Sequence, residues 1–274
     1  MNYKIIATDL DGTLLNSKME LSAENKAAIE KFTVMGGHFV PATGRSLSEV
    51  AHEVRALPEA RYYITSNGAA VFDTKTGKAI IQNTIIGQEK AFLLETLRKT
   101  RSIFTIHFDG VSYVDLDRRD HDLYRAYRMS ELFIQHIEDK DDFVGDFDRF
   151  CDEMESIESC CCFFESEELL EQCRAALLAT GWFSVTASMP HNLEINSVRA
   201  GKGIALLELA KLLGISPATT IGVGDSINDM DNIQKAGLGL AVKNAHPDLL
   251  RIADRTICTN DEHIMDYILK NIIQ

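Results

Sequence analysis

Hydrophobic and polar positions alternate in two different ways along this chain of 274 residues, and the changeovers divide it into three stretches. In the first, short apolar runs of strand length are separated by helical periodicity. Lys4–Asp9 predicts a strand, followed by a helix that Ser22 opens, that carries Ala27, Ala28, Phe32 and Met35, and that Gly36-Gly37 stops. His38–Ala42 predicts the next strand, with Pro41 marking its end as incompletely paired. A capping-box pattern at Ser46-Leu47-Ser48-Glu49 predicts a second helix running to Pro58, then a strand at Tyr62–Thr65, a turn at Asn67-Gly68 and a run at Ala69–Phe72. Alternating apolar strands and amphipathic helices imply a parallel sheet covered on both faces.

The middle stretch, Thr84 to Pro190, reads differently. It predicts a helix at Gln88–Lys99, a hairpin of Ile103–Phe108 and Val111–Asp115 around Asp109-Gly110, a strand at Cys160–Phe164, a helix at Glu167–Thr180 and a strand at Trp182–Ala187. From Leu193 the first pattern resumes: Leu193-Glu194-Ile195, helix Lys202–Leu213, strand Thr220–Gly224, helix Met230–Ala236, strand Leu238–Val242 and helix Glu262–Ile272. The expected architecture is α/β, a doubly wound parallel-sheet (Rossmann-like) core of residues 1–83 and 191–274 with an α+β domain, 84–190, inserted into it.

Composition narrows the function. With 45% hydrophobic and 25% charged residues the chain is that of an ordinary globular protein. Its formal net charge of −13 opposes binding through phosphate-backbone electrostatics, so neither nucleic acid nor an anionic membrane is expected as a partner. No stretch reaches the about 20 apolar residues that span a bilayer, and the amino terminus lacks the pattern of a secretory signal. The six cysteines, three of them consecutive at Cys160, Cys161 and Cys162, show no metal-ligand spacing and read as buried free thiols in a reducing compartment. A cytoplasmic location is the expectation; the oligomeric state is not legible. The acidic run Glu138-Asp139-Lys140-Asp141-Asp142 reads as a solvated face or loop in preference to a metal site.

Candidate chemistry collects at the carboxyl ends of the predicted core strands, where α/β sheets bind ligands. Asp9 and Asp11 follow the first strand, two residues apart and so on one face of extended chain. Like charges held that close call for a cation, and Mg²⁺ held by carboxylates beside a substrate phosphate answers that need. Thr43 follows the second strand, Asp225 and Asp229 follow Thr220–Gly224, and Lys202 opens a helix. Carboxylates, a hydroxyl and a fixed cation suffice for phosphoryl transfer, which asks mainly for positioning and charge neutralisation.

The chain resembles the haloacid dehalogenase (HAD) superfamily, and within it the Cof-type phosphatases with a type-IIB cap. The resemblance rests on Asp9-Leu10-Asp11-Gly12-Thr13-Leu14, Ala42-Thr43-Gly44-Arg45, Lys202-Gly203 and Gly224-Asp225-Ser226-Ile227-Asn228-Asp229, in that order, with Ser66-Asn67-Gly68-Ala69 and Asn244-Ala245 in keeping. It implies a Mg²⁺-dependent phosphatase of small phosphorylated metabolites, among them sugar phosphates, nucleotides and cofactor phosphates, acting through an aspartyl-phosphate. Asp9 would be the nucleophile, Asp11 the acid–base catalyst, and Thr43 and Lys202 the remaining catalytic groups. The metal set would be the Asp9 and Asp225 carboxylates and the Asp11 carbonyl, with Asp229 behind them orienting water or Lys202. Thr43, Gly44, Lys202 and Asn228 would bind the phosphoryl group. Arg45 fits either a substrate contact or a local ion pair. Departures from the family pattern are Asn232 where methionine is usual, Lys243 where a small or apolar residue is common, and His263 where glycine is frequent. Alternatives are a phosphomutase, or a non-catalytic phosphate-binding regulator. A receiver domain also combines acids, a hydroxyl and a lysine, but it is a much shorter single domain.

Overall fold

The computed structural model describes residues 2–187, 189 and 191–273. They form two compact units: one holds the residues through Arg45, Val50–Ile81 and those from Gly201 onward, the other Ser46–Glu49 and Gln82–Ala200.

The first unit is built on a five-stranded, wholly parallel sheet in the order Arg255–Thr256, Leu238–Ala241, Thr220–Gly224, Ile5–Thr8, His38–Pro41. Ile5–Thr8 and Thr220–Gly224 are adjacent and buried along their whole length, as strands covered on both faces must be. Helix Ala23–Val34 starts where Ser22 accepts a hydrogen bond from the Asn25 N–H. Pro41 closes an edge strand of this sheet, so its missing N–H breaks little; the Ala42 N–H donates to the Thr8 carbonyl at 2.8 Å. Tyr62–Thr65 does not extend the parallel ladder. It turns back antiparallel onto Ala70–Asp73 and is joined to the main sheet by an isolated bridge, Ala42 to Ile64. Helix Lys202–Leu212 packs Ala205, Leu206, Leu209 and Ala210 against Ile5, Ala7, Val40 and Ile64.

The second unit carries a six-stranded sheet in the order Phe183–Thr186, Asn192–Ser197, Ser159–Phe163, Ile103–Phe108, Val111–Asp115, Asp142–Val144. The ladders are antiparallel except the last, which is parallel. Phe104, Ile106, Cys160, Cys162, Leu193 and Ile195 point to one face and pack with helices Gly87–Lys99 and Glu167–Thr180. Ile103 and Phe163 point to the other, with Tyr124, Ile134 and Ile137 of helices His121–Ala126 and Glu131–Lys140.

Two expectations are corrected. Leu193-Glu194-Ile195 belongs to this second sheet, not to the core: Asn192–Ser197 pairs antiparallel with both Ser159–Phe163 and Phe183–Thr186. The return to the first unit therefore falls at Gly201; the expected exchange point at Pro190 lies outside the described residues. A buried strand of an antiparallel sheet has the same apolar run as a core strand, so its pattern does not say which sheet it joins. The second correction concerns Ser46–Pro58, where only His52–Arg55 is helical. The capping carboxylate does reach the Ser46 N–H, at 2.6 Å, but Glu49 also takes hydrogen bonds from outside the turn, and the Ser48 N–H goes to the Gly110 carbonyl. These long-range partners hold the segment out of a helix.

Candidate active site

Parallel pairing of Ile5–Thr8 with Thr220–Gly224 brings two loops side by side, and these carry Asp9 and Asp225. Asp9 is 5% exposed and its N–H donates to the Val223 carbonyl at 3.0 Å. Gly12, at φ +78°, lets the chain bend back so closely that a Cβ there would lie 2.8 Å from Asp225 Oδ2. In the same turn Thr13 Oγ1 donates to Asp225 Oδ1 at 2.8 Å, fixing that carboxylate.

Lys202 is fully buried, and its Nζ donates to Asp9 Oδ1 and Asp229 Oδ1 at 2.7 Å each. The start of its helix explains how an ammonium is held there. Gly203 comes so close to the Asp231 carbonyl that a Cβ would sit 2.2 Å from it, and the Asp231 carboxylate accepts from the Gly203 and Ile204 N–H groups at 3.0 and 3.3 Å. That contact caps a helix end whose own preceding residue, Gly201, has no side chain to do so. Asp229 commits its second oxygen, Oδ2, to the N–H groups of Asp225 and Ser226 at 3.1 Å each, completing a capping box with Ser226. Carboxylate oxygens of Asp9, Asp225 and Asp229 all lie within 4.8 Å of one another.

The electrostatics follow from this crowding. Burial pushes the Asp9 carboxyl well above the usual carboxylate range; Lys202 opposes the shift, and Asp229 and Asp225 add to it. Asp225 is raised by burial too, with Thr13 holding it back. Burial would lower the Lys202 ammonium, but Asp229 and Asp9 outweigh it and raise it. The group carries more negative than positive charge, all of it on hard oxygen donors, which is the donor set that suits Mg²⁺.

Thr43 is buried, with its Oγ1 accepting from the Arg45 N–H at 3.2 Å and its N–H and carbonyl tied to Ile64 and Asn67. Gly44 faces Asn67, whose Oδ1 would lie 2.9 Å from a Cβ; Asn228 Nδ2 donates to the same Asn67 oxygen at 3.0 Å. Arg45 makes an ion pair: its Nε and Nη2 donate to the two carboxylate oxygens of Asp11 at 2.7 and 3.1 Å. Asp9, Lys202 and Asp229 thus form one buried group beside the half-buried Asp225, Asp11 and Arg45 a more exposed pair, and Thr43, Gly44 and Asn228 a set joined through Asn67. Sequence reasoning passed over the positioning work of Thr13 and Asp231. Thr13 stands inside the first motif and could have been found there; Asp231 has no signal of its own, because it caps a helix that starts 29 residues earlier in the chain.

A model of the haloacid dehalogenase-like hydrolase family matches residues 6–268. The chain belongs to that family. Phosphatase YwpJ of Bacillus subtilis (strain 168) is 30% identical over 295 residues, covering 98% of the chain and 100% of YwpJ. The 5-amino-6-(5-phospho-D-ribitylamino)uracil phosphatase YcsE of the same organism is 27% identical, covering 96% of the chain and 92% of YcsE. A solved HAD subclass IIB sugar phosphatase shares the fold with a TM-score of 0.80 at 19% identity, over 99% of the chain and 100% of that structure. The protein is a phosphatase of that family. Within this HAD phosphatase two of the three departures, Asn232 and His263, have local explanations, and nothing in the structure explains Lys243. Asn232 is fully buried and its Nδ2 donates to the Ala7 and Val223 carbonyls at 3.3 and 3.4 Å. His263 adopts φ +60°, the left-handed conformation for which glycine is the usual residue, and pairs its Nδ1 with Ser22 Oγ at 2.9 Å. Lys243 continues the chain beyond the strand Leu238–Ala241, and its N–H donates to the Cys258 carbonyl at 3.1 Å. No helix among the described residues is long and apolar enough to cross a membrane.

Proposed function

We propose that this HAD phosphatase hydrolyses small phosphorylated metabolites in a Mg²⁺-dependent reaction through an aspartyl-phosphate on Asp9. The observation that carries the reading is the convergence of the Asp9, Asp225 and Asp229 carboxylates at the carboxyl ends of two central strands, with a buried Lys202 donating to Asp9 and Asp229. The Asp9 and Asp225 carboxylates and the Asp11 carbonyl would hold the ion. Asp229, both of whose oxygens are engaged, supports this set from behind. When bound, the ion neutralises charge on the phosphate oxygens and so admits a phosphate dianion to an acidic site.

The residues divide the reaction as follows. Asp9 attacks phosphorus in line; the Asp9–phosphorus bond forms as the ester oxygen leaves. Asp11 gives its proton to that leaving oxygen and then takes one from the water that cleaves the acyl phosphate, returning Asp9 as a carboxylate and releasing phosphate. Arg45, paired through both nitrogens, holds Asp11 as its carboxylate, so the pair opens before Asp11 carries a proton to the leaving oxygen. The Thr43 hydroxyl, the Gly44 N–H, Asn228 and Lys202 bind the phosphoryl oxygens. A substrate of metabolite size is supported by YcsE, whose name describes a phosphorylated ribityl compound, and by a net charge of −13 that opposes polyanions.

Turnover of p-nitrophenyl phosphate with and without Mg²⁺ tests the proposal. Asp9→Asn is expected to lower kcat on the order of 10⁴-fold or more, and Asp11→Asn by roughly 10²–10⁴-fold, the range for lost acid–base assistance. Mg²⁺-independent turnover, or an Asp9→Asn enzyme as active as the parent, overturns it.

A further inference from the structure

The insert-bearing unit holds a second group of metal-ligating side chains that the phosphatase chemistry does not use. Glu49 is 6% exposed and accepts from His136 Nε2 on Oε1 at 2.7 Å, while His107 Nε2 lies 3.3 Å from its Oε2. Donor atoms of Glu49, His136 and Asp141 all lie within 4.8 Å of one another. Three elements place them. His136 projects from the last turns of helix Glu131–Lys140, Asp141 caps that helix at its carboxyl end, and Glu49 comes from the segment whose Ser48 N–H is held by the Gly110 carbonyl.

The charges are not satisfied within the group. Asp141 is 9% exposed, and its Oδ1 is buried without a hydrogen-bond partner. Burial and the neighbouring Glu49 carboxylate push the Asp141 carboxyl up to about 7. Burial acts on Glu49 in the same direction, but His107 and the hydrogen bonds from His136 and Ser46 hold it at about 2. Two buried carboxylates side by side, one of them with an oxygen that has no hydrogen-bond partner, are costly without a cation. An imidazole nitrogen among carboxylates selects a borderline transition ion over Mg²⁺ or Ca²⁺, which prefer oxygen alone.

We propose that Glu49, His136 and Asp141 form a binding site for a zinc-class divalent transition-metal ion in the insert-bearing unit, separate from the site around Asp9. His107 is a positioning residue there, holding the second oxygen of Glu49 as outer partners of ligating carboxylates do. Binding displaces the proton that His136 shares with Glu49 and leaves the fourth position to water, the pattern of a three-ligand zinc site. The site joins the Ser46–Glu49 segment, which directly follows Arg45 in sequence, to the Glu131–Lys140 helix.

Co²⁺ binding to the full-length, metal-stripped chain tests this, read by visible d–d absorption and by elemental analysis after gel filtration. Asp225→Asn serves as background, because it weakens the site around Asp9. In that background one Co²⁺ per chain is expected, competed by Zn²⁺ and not by millimolar Mg²⁺. Adding His136→Ala or Asp141→Asn is expected to weaken binding at least about 100-fold, beyond what loss of an outer partner does. Asp141→Asn removes a carboxylate that burial and the neighbouring Glu49 disfavour, so its metal-free form is expected to melt no lower than its parent, which separates lost binding from lost folding. In the otherwise wild-type chain Asp141→Asn takes the count from two ions to one. Absence of Co²⁺ and Zn²⁺ binding in the Asp225→Asn chain, or binding that neither added substitution weakens, overturns the proposal. These readouts do not involve turnover, so they stand or fall apart from the phosphatase mechanism.

Discussion

At the scale of single residues, the structure shows how much one side chain can depend on its partners. Lys202 is buried only because Asp9 and Asp229 accept from it on two sides. Lys202→Met leaves those carboxylates facing each other in a desolvated site. Loss of one partner from a buried ion pair costs about 3–5 kcal/mol, and urea denaturation of the metal-free protein is expected to show a loss of that order; added Mg²⁺ should restore part of it. Asp73 offers a test by pH. The hydrogen bond from Arg61 holds its carboxyl below the ordinary 3.8. A depressed folded value contributes stability that is present above pH 3.8 and is lost as pH falls toward the lower folded value. Asp73→Asn should therefore flatten the acid side of the stability curve and leave its slope above pH 5 unchanged. Of these residues Lys202, Asp9 and Asp229 were legible in sequence as parts of ordered motifs. The Arg45–Asp11 ion pair was left open between two readings, because spacing in a loop does not show where a flexible guanidinium goes.

At the scale of elements, close backbone approach sets the site as firmly as side chains do. Gly203 has the Asp231 carbonyl 2.2 Å from where a Cβ would be, and Gly222 has the Asn232 carbonyl 2.4 Å away. Each obstacle is backbone and cannot swing aside. Gly203→Ala is expected to lower stability by about 1–3 kcal/mol, the usual cost of overpacking, and to lower kcat because the displaced helix carries Lys202. Thermal melts with kinetics at saturating substrate would show it; an unchanged melt and unchanged turnover would mean that the helix start is not packed as described. Hairpin Ile103–Phe108 with Val111–Asp115 and helix Glu167–Thr180 have the bounds their sequence predicts, since their caps, turns and periodicity are local. The Ser46–Pro58 helix is absent over most of its predicted length because the partners of Glu49 and Ser48 lie more than fifty residues away in sequence.

At the scale of the molecule, the second unit encloses Cys151, Cys160, Cys162 and Cys173 in one core, with Cys161 on the opposite face of the same sheet. Burial pushes the Cys151 thiol up to about 12 and Cys258, in the first unit, up to about 11. All six cysteines are free. Low thiolate content and burial together predict that 5,5′-dithiobis(2-nitrobenzoate) reacts slowly with the native chain and at once with six thiols in guanidinium chloride. Fast reaction of the native protein would show that this core opens readily.

What the sequence by itself determined was the nature of the fold and the identity of the acidic, hydroxyl and lysine residues at the strand ends. Both are written in local signals, strand and helix periods and short ordered motifs, that survive without knowledge of neighbours. The tertiary structure alone decided which sheet receives Asn192–Ser197, that Asp231 caps the helix carrying Lys202, and that Arg45 holds Asp11. It alone took Asp141 out of an acidic run that reads as solvated and buried it beside Glu49 and His136. The reason is common to all four: burial and pairing are properties of chain segments distant in sequence, and a residue's charge, partner and cost are settled only when those segments meet.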